Sequence, residues 1–372
     1  MRRRTTLTGL AAAAFAASAL LSGQAVAADS IVATIETSTQ PTDMALDSSK
    51  ALLYVLDAGK PLIKVISTTT NTVVSTIEVV EGATYLTLDR VRNQLFVTNI
   101  DDALGPGSVS VVDLGAGTVT STAGLIGNPR MPVLDARRGL LYVTQSATDN
   151  GAGTLSTVDA STNSVVFSQP IGVSPGDPAL DAAAHRLYVP MTSTVAVYDT
   201  VSNHRVANVK VGKFPDFVLL DPAHHQYFAV RLDALVAIDA RTNKVKATVR
   251  MPIAIDQGPP TLDAARQRMY IPSWPYRGRI TVLDTRSYKV TARITVGYAP
   301  DGPVVDAARR RLYVPEFDEG DGHSVYVIDT RTNTVIDTHR VDRGPSSPAL
   351  DQGSGRIYVP SWVEGTVTVI NP

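Results

Sequence analysis

Short apolar segments separated by polar turns recur along almost the whole chain. Within residues 299–338 the apolar segments are Val304-Val305, Leu312-Tyr313-Val314, Val325-Tyr326-Val327-Ile328 and Val335-Ile336. They are rich in Val, Ile and Tyr, and Asp, Gly, Pro and Asn lie between them, which favours strands joined by tight turns. Helical spacing of apolar residues is not sustained after residue 27. The unit therefore predicts four short strands.

Each unit is marked by an Asp that is followed seven residues later by an aromatic residue between two apolar residues. The eight pairs are Asp47/Tyr54, Asp89/Phe96, Asp135/Tyr142, Asp181/Tyr188, Asp221/Phe228, Asp263/Tyr270, Asp306/Tyr313 and Asp351/Tyr358. A period near forty residues is typical of repeat architectures, in which one unit cannot bury its apolar face alone. We therefore predict an all-β protein, an eight-bladed β-propeller of four-stranded antiparallel blades.

Asp and Asn also recur in a second turn, between the third and fourth strands. It reads Asp159–Asn163, Asp239–Asn243 and Asp329–Asn333 in three units. Asp and Asn side chains can bond nearby backbone N–H groups and tolerate left-handed conformations. Both sets of Asp residues are therefore predicted to be structural rather than catalytic.

The two ends of the chain predict how the ring closes. Residues 31–36, Ile-Val-Ala-Thr-Ile-Glu, copy the fourth-strand segment 73–78, Val-Val-Ser-Thr-Ile-Glu, whereas residues 366–371 read as a third strand. The first strand of the chain is thus expected to supply the outer strand of the last blade. Such a clasp avoids two exposed sheet edges.

Three segments carry a resemblance to a known family. They are Leu95-Phe96-Val97-Thr98-Asn99, Leu141-Tyr142-Val143-Thr144 and Val327-Ile328-Asp329-Thr330. They resemble the YVTN repeat of bacterial and archaeal surface-layer and periplasmic β-propellers. The resemblance implies an exported propeller that binds something, and no shared catalytic residues. Members are often seven-bladed, so seven blades are the alternative to the eight motifs.

The first residues are typical of an export signal. Arg2, Arg3 and Arg4 precede an apolar run over residues 7–21, and Ala25-Val26-Ala27 offers a cleavage point. We predict a signal peptide over 1–27, a single propeller domain over 28–372, and a secreted, extracellular or cell-envelope location. The run is too short to span a membrane, so no membrane insertion is expected. Sec and twin-arginine export both stay open.

Composition and charge limit the classes of partner that the protein is expected to bind. The chain has no Cys, which excludes disulfides, thiolate metal sites and a lipoprotein anchor, and its formal net charge is −1. A polyanion binder would need clustered positive charge, so no nucleic acid is expected. The partner is predicted to be a protein, a cell-envelope component or a small ligand, and the protein a monomer.

The loops between the second and third strands vary most and are the first candidate ligand site. Propeller function usually lies on such irregular loops around the channel. Aromatic rings beside carboxylates suit a cation or a sugar-like ligand, although the same residues could instead cover neighbouring blades. The candidates are Trp274, Tyr276, Arg277, Glu316, Asp318, His323, Trp362 and Glu364.

Calcium is the only cofactor that the sequence leaves open. Asp318 and Asp321, with Glu316 nearby, offer oxygen ligands in a glycine-containing loop. The spacing does not match an EF-hand, and a single His beside carboxylates is weak evidence for a transition metal. No cofactor is otherwise expected.

A second candidate site comes from the segments that lead into the first strand of each blade. Their residues should ring the mouth of the central channel, where converging carboxylates could raise one another's pKa and yield a general base. The alternative is that each Asp caps its local turn. The candidates are Asp43, Tyr85, Arg130, Asp177, Asp216 and Asp301.

Two functions remain open on the sequence. The first is an exported binding or interaction protein that uses the irregular loop face around the channel. The second is an enzyme, a lyase or lactone hydrolase that uses acid–base residues at the channel mouth. Convergence of the four mouth carboxylates would favour the enzyme.

Overall fold

The computed structural model describes residues 29–37, 39–100, 106–147, 151–251, 258–273, 278–316 and 323–372. They form eight antiparallel sheets arranged in a ring, which confirms an eight-bladed β-propeller. The predicted signal peptide lies outside the described residues. Among the described residues, no helix is long and apolar enough to cross a membrane.

The first four blades span residues 41–210. Blade 1 has strands Pro41–Asp47, Leu52–Asp57, Leu62–Ser67 and Thr72–Glu78. Blade 2 has Ala83–Asp89, Gln94–Asn99, Ser108–Asp113 and Thr118–Gly124. Blade 3 has Asn128–Pro129 with Val133–Asp135, then Leu140–Ser146, Ala152–Asp159 and Ser164–Val173. Blade 4 has Ala179–Asp181, Arg186–Pro190, Thr194–Asp199 and Arg205–Lys210.

The other four blades repeat this order. Blade 5 has Pro215–Asp221, Gln226–Arg231, Ala234–Asp239 and Val245–Arg250. Blade 6 has Thr261–Asp263, Arg268–Ser273, Arg279–Asp284 and Lys289–Thr295. Blade 7 has Val304–Asp306, Arg311–Pro315, Ser324–Asp329 and Thr334–Arg340. Blade 8 has Ala349–Leu350, Ile357–Ser361, Thr366–Asn371 and Ser30–Glu36. Among the residues that the structure describes, short 3₁₀ turns occur at Pro222–His224 and Ala264–Arg266.

The clasp is confirmed in its details. Ser30–Glu36 pairs antiparallel with Thr366–Asn371 as the outer strand of blade 8. Its pairing shifts by one residue at Val32, and the fourth strand of blade 1 shifts at the corresponding Val74. The sequence similarity between the two segments therefore extends to a shared β-bulge, a feature that bends the outer strand and increases its twist.

The motif Asp residues hold the turn between the first and second strands. Asp89 is fully buried, and its Oδ1 accepts hydrogen bonds from the N–H groups of Val91 and Arg92 at 2.9 and 3.1 Å. Its Oδ2 accepts a hydrogen bond from the Arg92 guanidinium at 2.9 Å. In blade 5 the imidazole Nδ1 of His224 takes the place of this guanidinium, 2.9 Å from Asp221. His224 is thus part of a turn.

The second turn also has the predicted chemistry. Asp239 Oδ1 accepts hydrogen bonds from the N–H groups of Arg241 and Thr242 at 3.0 and 2.9 Å. Asn243 adopts the left-handed conformation, with φ of 55°. Asn tolerates this region better than most residues, so the Asp and the Asn together define the turn.

The apolar core lies between blades rather than within them. Eight buried clusters occur, one at each junction between neighbouring blades. The motif aromatic of the second strand faces the next blade, as Tyr54 does toward Leu86 and Val97 of blade 2. The residue before it, Leu53, faces blade 8 through Val367. Because side chains alternate along a strand, each second strand contributes to two junctions.

Polar latches reinforce these junctions at the end of the ring that carries the turns. Arg268 Nη1 of blade 6 donates to the Thr330 carbonyl of blade 7 at 2.5 Å, and Arg138 Nη1 of blade 3 donates to the Thr200 carbonyl of blade 4 at 2.8 Å. Arg356 Nη1 of blade 8 reaches the Thr68 carbonyl of blade 1 at 2.6 Å. Each acceptor belongs to the turn after a third strand. The turn after the third strand of one blade therefore holds the arginine of the blade before it.

Candidate functional site

The described members of the two candidate sets lie at the same end of the ring. The Asp301 N–H donates to the Pro315 carbonyl at 2.9 Å, and the Ser346 N–H donates to the Pro360 carbonyl at 3.0 Å. These bonds tie the segment before the first strand to the end of the second strand. We call this end of the ring the mouth face, and the opposite end, which carries both Asp-rich turns, the turn face.

Five ionisable residues from blades 1 to 5 are electrostatically coupled on the mouth face. Burial raises the pKa of Tyr85, the carboxylates of Asp177, Asp43 and Asp216 raise it further, and Arg130 lowers it. The three carboxylates and the guanidinium therefore lie close enough to the Tyr85 hydroxyl to act on its charge. We call Asp43, Tyr85, Arg130, Asp177 and Asp216 the mouth cluster.

Asp43 links two blades through its carboxylate. Its Oδ1 accepts the Met44 N–H at 2.8 Å, and its Oδ2 accepts the Leu86 N–H of blade 2 at 2.7 Å. Burial raises the pKa of Asp43 to about 6, and the hydrogen bonds from Leu86 and Met44 oppose that rise. The carboxyl group therefore changes charge close to neutral pH.

Asp177 is the second carboxylate of the cluster. Burial raises its pKa and Asp216 raises it further, whereas Arg130 and a hydrogen bond from the Met131 N–H lower it. That hydrogen bond is 3.2 Å long and comes from blade 3. Arg130 lies between two prolines, Pro129 and Pro132, which have no N–H and interrupt the first strand of blade 3. Arg130, the cation of the mouth cluster, therefore lies in the break between these two short strand segments.

Asp301 lies apart from the mouth cluster in its electrostatics. It is 7% exposed, and burial raises its pKa to about 6 against hydrogen bonds from the N–H groups of Gly302 and Ser347. Ser347 also lines a cavity of about 310 Å³ between blades 8 and 1, together with Ser346 and Asp43. The mouth carboxylates thus fall into two arrangements. Asp43, Asp177 and Asp216 act on Tyr85, whereas Asp301 reaches this cavity through Ser347, and Asp43 also lines the cavity.

Each of Asp43, Asp177 and Asp301 accepts a backbone N–H from a neighbouring blade. Their structural role is broader than the local turn cap that the sequence offered as an alternative. The direction around the ring also differs, since Asp43 and Asp301 bond the following blade and Asp177 the preceding one. No sequence signal distinguishes these directions.

Four of the loop candidates, and the further calcium candidate Asp321, lie outside the described residues. They are Trp274, Tyr276, Arg277, Asp318 and Asp321. The predicted calcium site depends mainly on Asp318 and Asp321, so it remains a prediction. Among the residues that the structure describes, no group of three or more His, Asp or Glu is arranged to hold a metal ion.

Glu316 is a structural carboxylate. It is 5% exposed, and it accepts hydrogen bonds from the Tyr298 N–H at 2.5 Å and from the Tyr326 hydroxyl at 3.1 Å. Burial and the nearby Glu316 raise the pKa of Tyr326 to about 12. A Cβ at Gly297 would overlap the Glu316 carboxylate. The loop before blade 7 is therefore folded around this side chain.

Trp362, Glu364 and His323 occupy three different environments on the mouth face. Trp362 is half-buried, and its indole lies over Gly344. Glu364 pairs with Arg343 at 2.5 Å, in a largely solvated position. His323 is 8% exposed and lies next to residues 317–322, which are not described. Trp362 thus partly covers the connection between blades 7 and 8, and Glu364 is available at the surface.

Comparison with known proteins supports the fold at low sequence identity. No family model and no curated protein sequence matches the chain. The solved structure of BamB from Moraxella catarrhalis is similar, with 13% identity over 93% of this chain and 100% of its own, and a TM-score of 0.70. Saccharomyces cerevisiae Sqt1 has 10% identity over 90% of this chain and 96% of its own, with a TM-score of 0.73.

An enzyme is also among the similar structures. Dihydro-heme d1 dehydrogenase NirN, in complex with DHE, shares 15% identity over 91% of this chain and 75% of its own, with a TM-score of 0.70. At such identities the likeness shows the propeller fold alone, because one fold carries many functions. The chain is a β-propeller, and its function has to be argued from the mouth face.

Proposed function

We propose that the protein is exported and binds a positively charged partner through the mouth face. The mouth cluster carries this proposal, because three carboxylates and one guanidinium act on Tyr85 there. A channel mouth with an excess of negative charge attracts positively charged ligands. The partner would be a protein or cell-envelope component with exposed basic groups, or a small organic cation.

Export is part of the proposal and is supported by residues 1–27. Their basic start, apolar run and small residues before position 28 are typical of a signal peptide. We also propose membership of the YVTN-repeat family, and a secreted or cell-envelope location follows from both. N-terminal sequencing of the protein recovered from its host tests the export. A mature chain that still begins at Met1 would contradict it.

Binding at the mouth can be tested with charged probes. Calorimetry with spermidine and with a lysine-rich peptide should show binding to the wild type, with neutral oligosaccharides and polyglutamate as comparisons. Asp177→Asn with Asp216→Asn should weaken the binding at least tenfold, since it removes two of the three carboxylates. The control is Asp337→Asn, on the outer strand of blade 7. Equal affinities for both variants would contradict a mouth site.

An enzyme remains the second candidate, and one observation favours it. Asp43 and Asp301 have pKa values raised by burial to about 6, which suits a general base near neutral pH. A lyase or a lactone hydrolase would use such a carboxylate at the channel mouth. Assay of a lactone panel tests this, and Asp43→Asn should abolish turnover without preventing substrate binding. Activity that survives in both Asp43→Asn and Asp301→Asn would exclude these carboxylates as the base.

A further inference from the structure

Blade 8 differs from the other blades on the turn face. Its third strand, Thr366–Asn371, and its outer strand, Ser30–Glu36, come from opposite ends of the sequence, so no turn joins them. In the other seven blades a short turn covers this position. Closure of the ring by the clasp therefore removes one of eight repeated turns.

The missing turn leaves blade 7 without its latch acceptor. Arg311 follows its motif Asp by five residues, as Arg268 does in blade 6 and Arg356 in blade 8. Arg268 and Arg356 donate to threonine carbonyls in the turns of the following blades. Arg311 instead lies 3.9 Å from Asp329 of its own blade, beyond hydrogen-bond distance.

A cavity of about 640 Å³ occupies this position between blades 7 and 8. Its volume falls in the range of small-molecule sites. It is lined by Arg309, Arg310, Arg311, Arg331, Asp29, Asp329 and Pro372. Four guanidinium side chains therefore meet two lining carboxylates, and Arg309 is also paired with Asp306, so these side chains carry a net positive charge of one.

The two carboxylates leave most guanidinium N–H donors unused. Asp29 is buried and accepts the Tyr313 hydroxyl at 2.8 Å. Asp329 Oδ1 accepts the N–H groups of its own turn, and its Oδ2 lies 3.7 Å from Arg331, again beyond a hydrogen bond. The Arg310 side chain makes no hydrogen bond or ion pair with the part of the chain that the structure describes.

Arg309 is the fixed member of the group. It bonds Asp306 at 3.0 Å and donates to the Ser354 carbonyl of blade 8 at 2.9 Å. The remaining three guanidiniums present free donors in planar forks, which match the oxygen pairs of carboxylates and phosphates.

We propose that this cavity binds a small anion with several oxygen atoms, a polycarboxylate or a phosphate compound, through Arg310, Arg311 and Arg331. The anion oxygens take the place of the turn carbonyl that blade 8 lacks. Because the anion binds the folded ring, it stabilises the native state by mass action. The site lies on the turn face and is independent of the function proposed for the mouth face.

The test uses residues 28–372, which contain every strand of the ring, with citrate and pyrophosphate as probes. Calorimetry should show binding of at least one probe and a rise in melting temperature that sodium chloride at equal ionic strength does not reproduce. A preference for citrate assigns a carboxylate ligand, and a preference for pyrophosphate assigns a phosphate ligand.

Variants separate the site from general attraction to a basic surface. Arg310→Ala with Arg331→Ala should weaken binding at least tenfold. The control, Arg137→Ala with Arg241→Ala, removes the same charge from exposed positions in blades 3 and 5 on the turn face, and should bind like the wild type. Arg310→Ala alone should retain the fold, because the exposed Arg310 side chain makes no described contact, and it should also weaken binding. Equal loss in both double variants, or no binding of either probe, would overturn the proposal.

Discussion

Aspartates in two parts of the propeller have pKa values shifted in opposite directions. Asp43 on the mouth face has a pKa of about 6, because burial disfavours its charge more than two N–H groups favour it. Asp199 in a turn has a pKa lowered to about 2, first by the Ser202 N–H and further by Arg186 and others. Asp43 accepts two hydrogen bonds, whereas Asp199 accepts four, one of them from the Arg186 guanidinium, and is less buried, so solvation and hydrogen bonding together decide the direction.

This difference predicts opposite pH dependences for two variants. The folded pKa of Asp43 lies above its unfolded value of 3.8, so its favourable contribution is present below pH 3.8 and is lost as the pH rises through about 6. Asp43→Asn should therefore gain melting temperature relative to the wild type between pH 4 and pH 7.5. Thermal unfolding at a series of pH values measures the gain, and a constant difference would contradict the raised pKa.

Asp199 gives the contrasting case. Its folded pKa is lowered, so its contribution is present above pH 3.8 and is lost as the pH falls through about 2. Asp199→Asn should lower the melting temperature at pH 7, and the loss should shrink as the solution is acidified toward pH 2. Equal losses at pH 7 and pH 2.5 would show that the carboxylate charge is not involved.

At the scale of elements, the latches between blades can be tested through Arg268. Its bond to the Thr330 carbonyl is charge-assisted and partly buried. Arg268→Met keeps much of the apolar stem, so it should lower the free energy of unfolding by about 1.5–3 kcal/mol, the range for hydrogen bonds to charged groups. Arg241→Met, at an exposed turn position, should change it by less than about 0.5 kcal/mol. Chemical denaturation measures both free energies of unfolding, and equal effects would show that the bond from Arg268 does not contribute to stability.

The strands and turns also show which structural features can be predicted from the sequence. The Asp-to-aromatic spacing predicted the strands and turns, and the likeness of residues 31–36 to 73–78 predicted the clasp, because both are local patterns repeated in register. The latch from Arg268 to Thr330 and the bond from Leu86 to Asp43 were not predicted. They join residues of different blades, and nothing local reveals which neighbour a side chain reaches. The mouth residues could be predicted as a ring, but not their division into two arrangements.

At the scale of the whole molecule, stability depends on closure. The apolar clusters lie at the junctions, so each blade is stabilised only by its two neighbours. Ile35 of the clasp is buried in the junction between blades 8 and 1, and Asp29 bonds Tyr313 of blade 7. The clasp therefore contributes to both junctions of blade 8, and its loss should affect the entire ring.

Deletion of residues 29–37 tests this dependence. The variant would lose the outer strand of blade 8 and expose Thr366–Asn371 as a free edge, which favours association with other chains. Its melting temperature should fall for the ring as a whole, in one transition, and its tendency to aggregate should rise. Deletion of residues 1–27 is the matched control and should leave the melting temperature unchanged, because that segment precedes every described strand. If both deletions melt at the temperature of the full chain, the outer strand contributes little, and the seven covalently closed blades hold the ring without it.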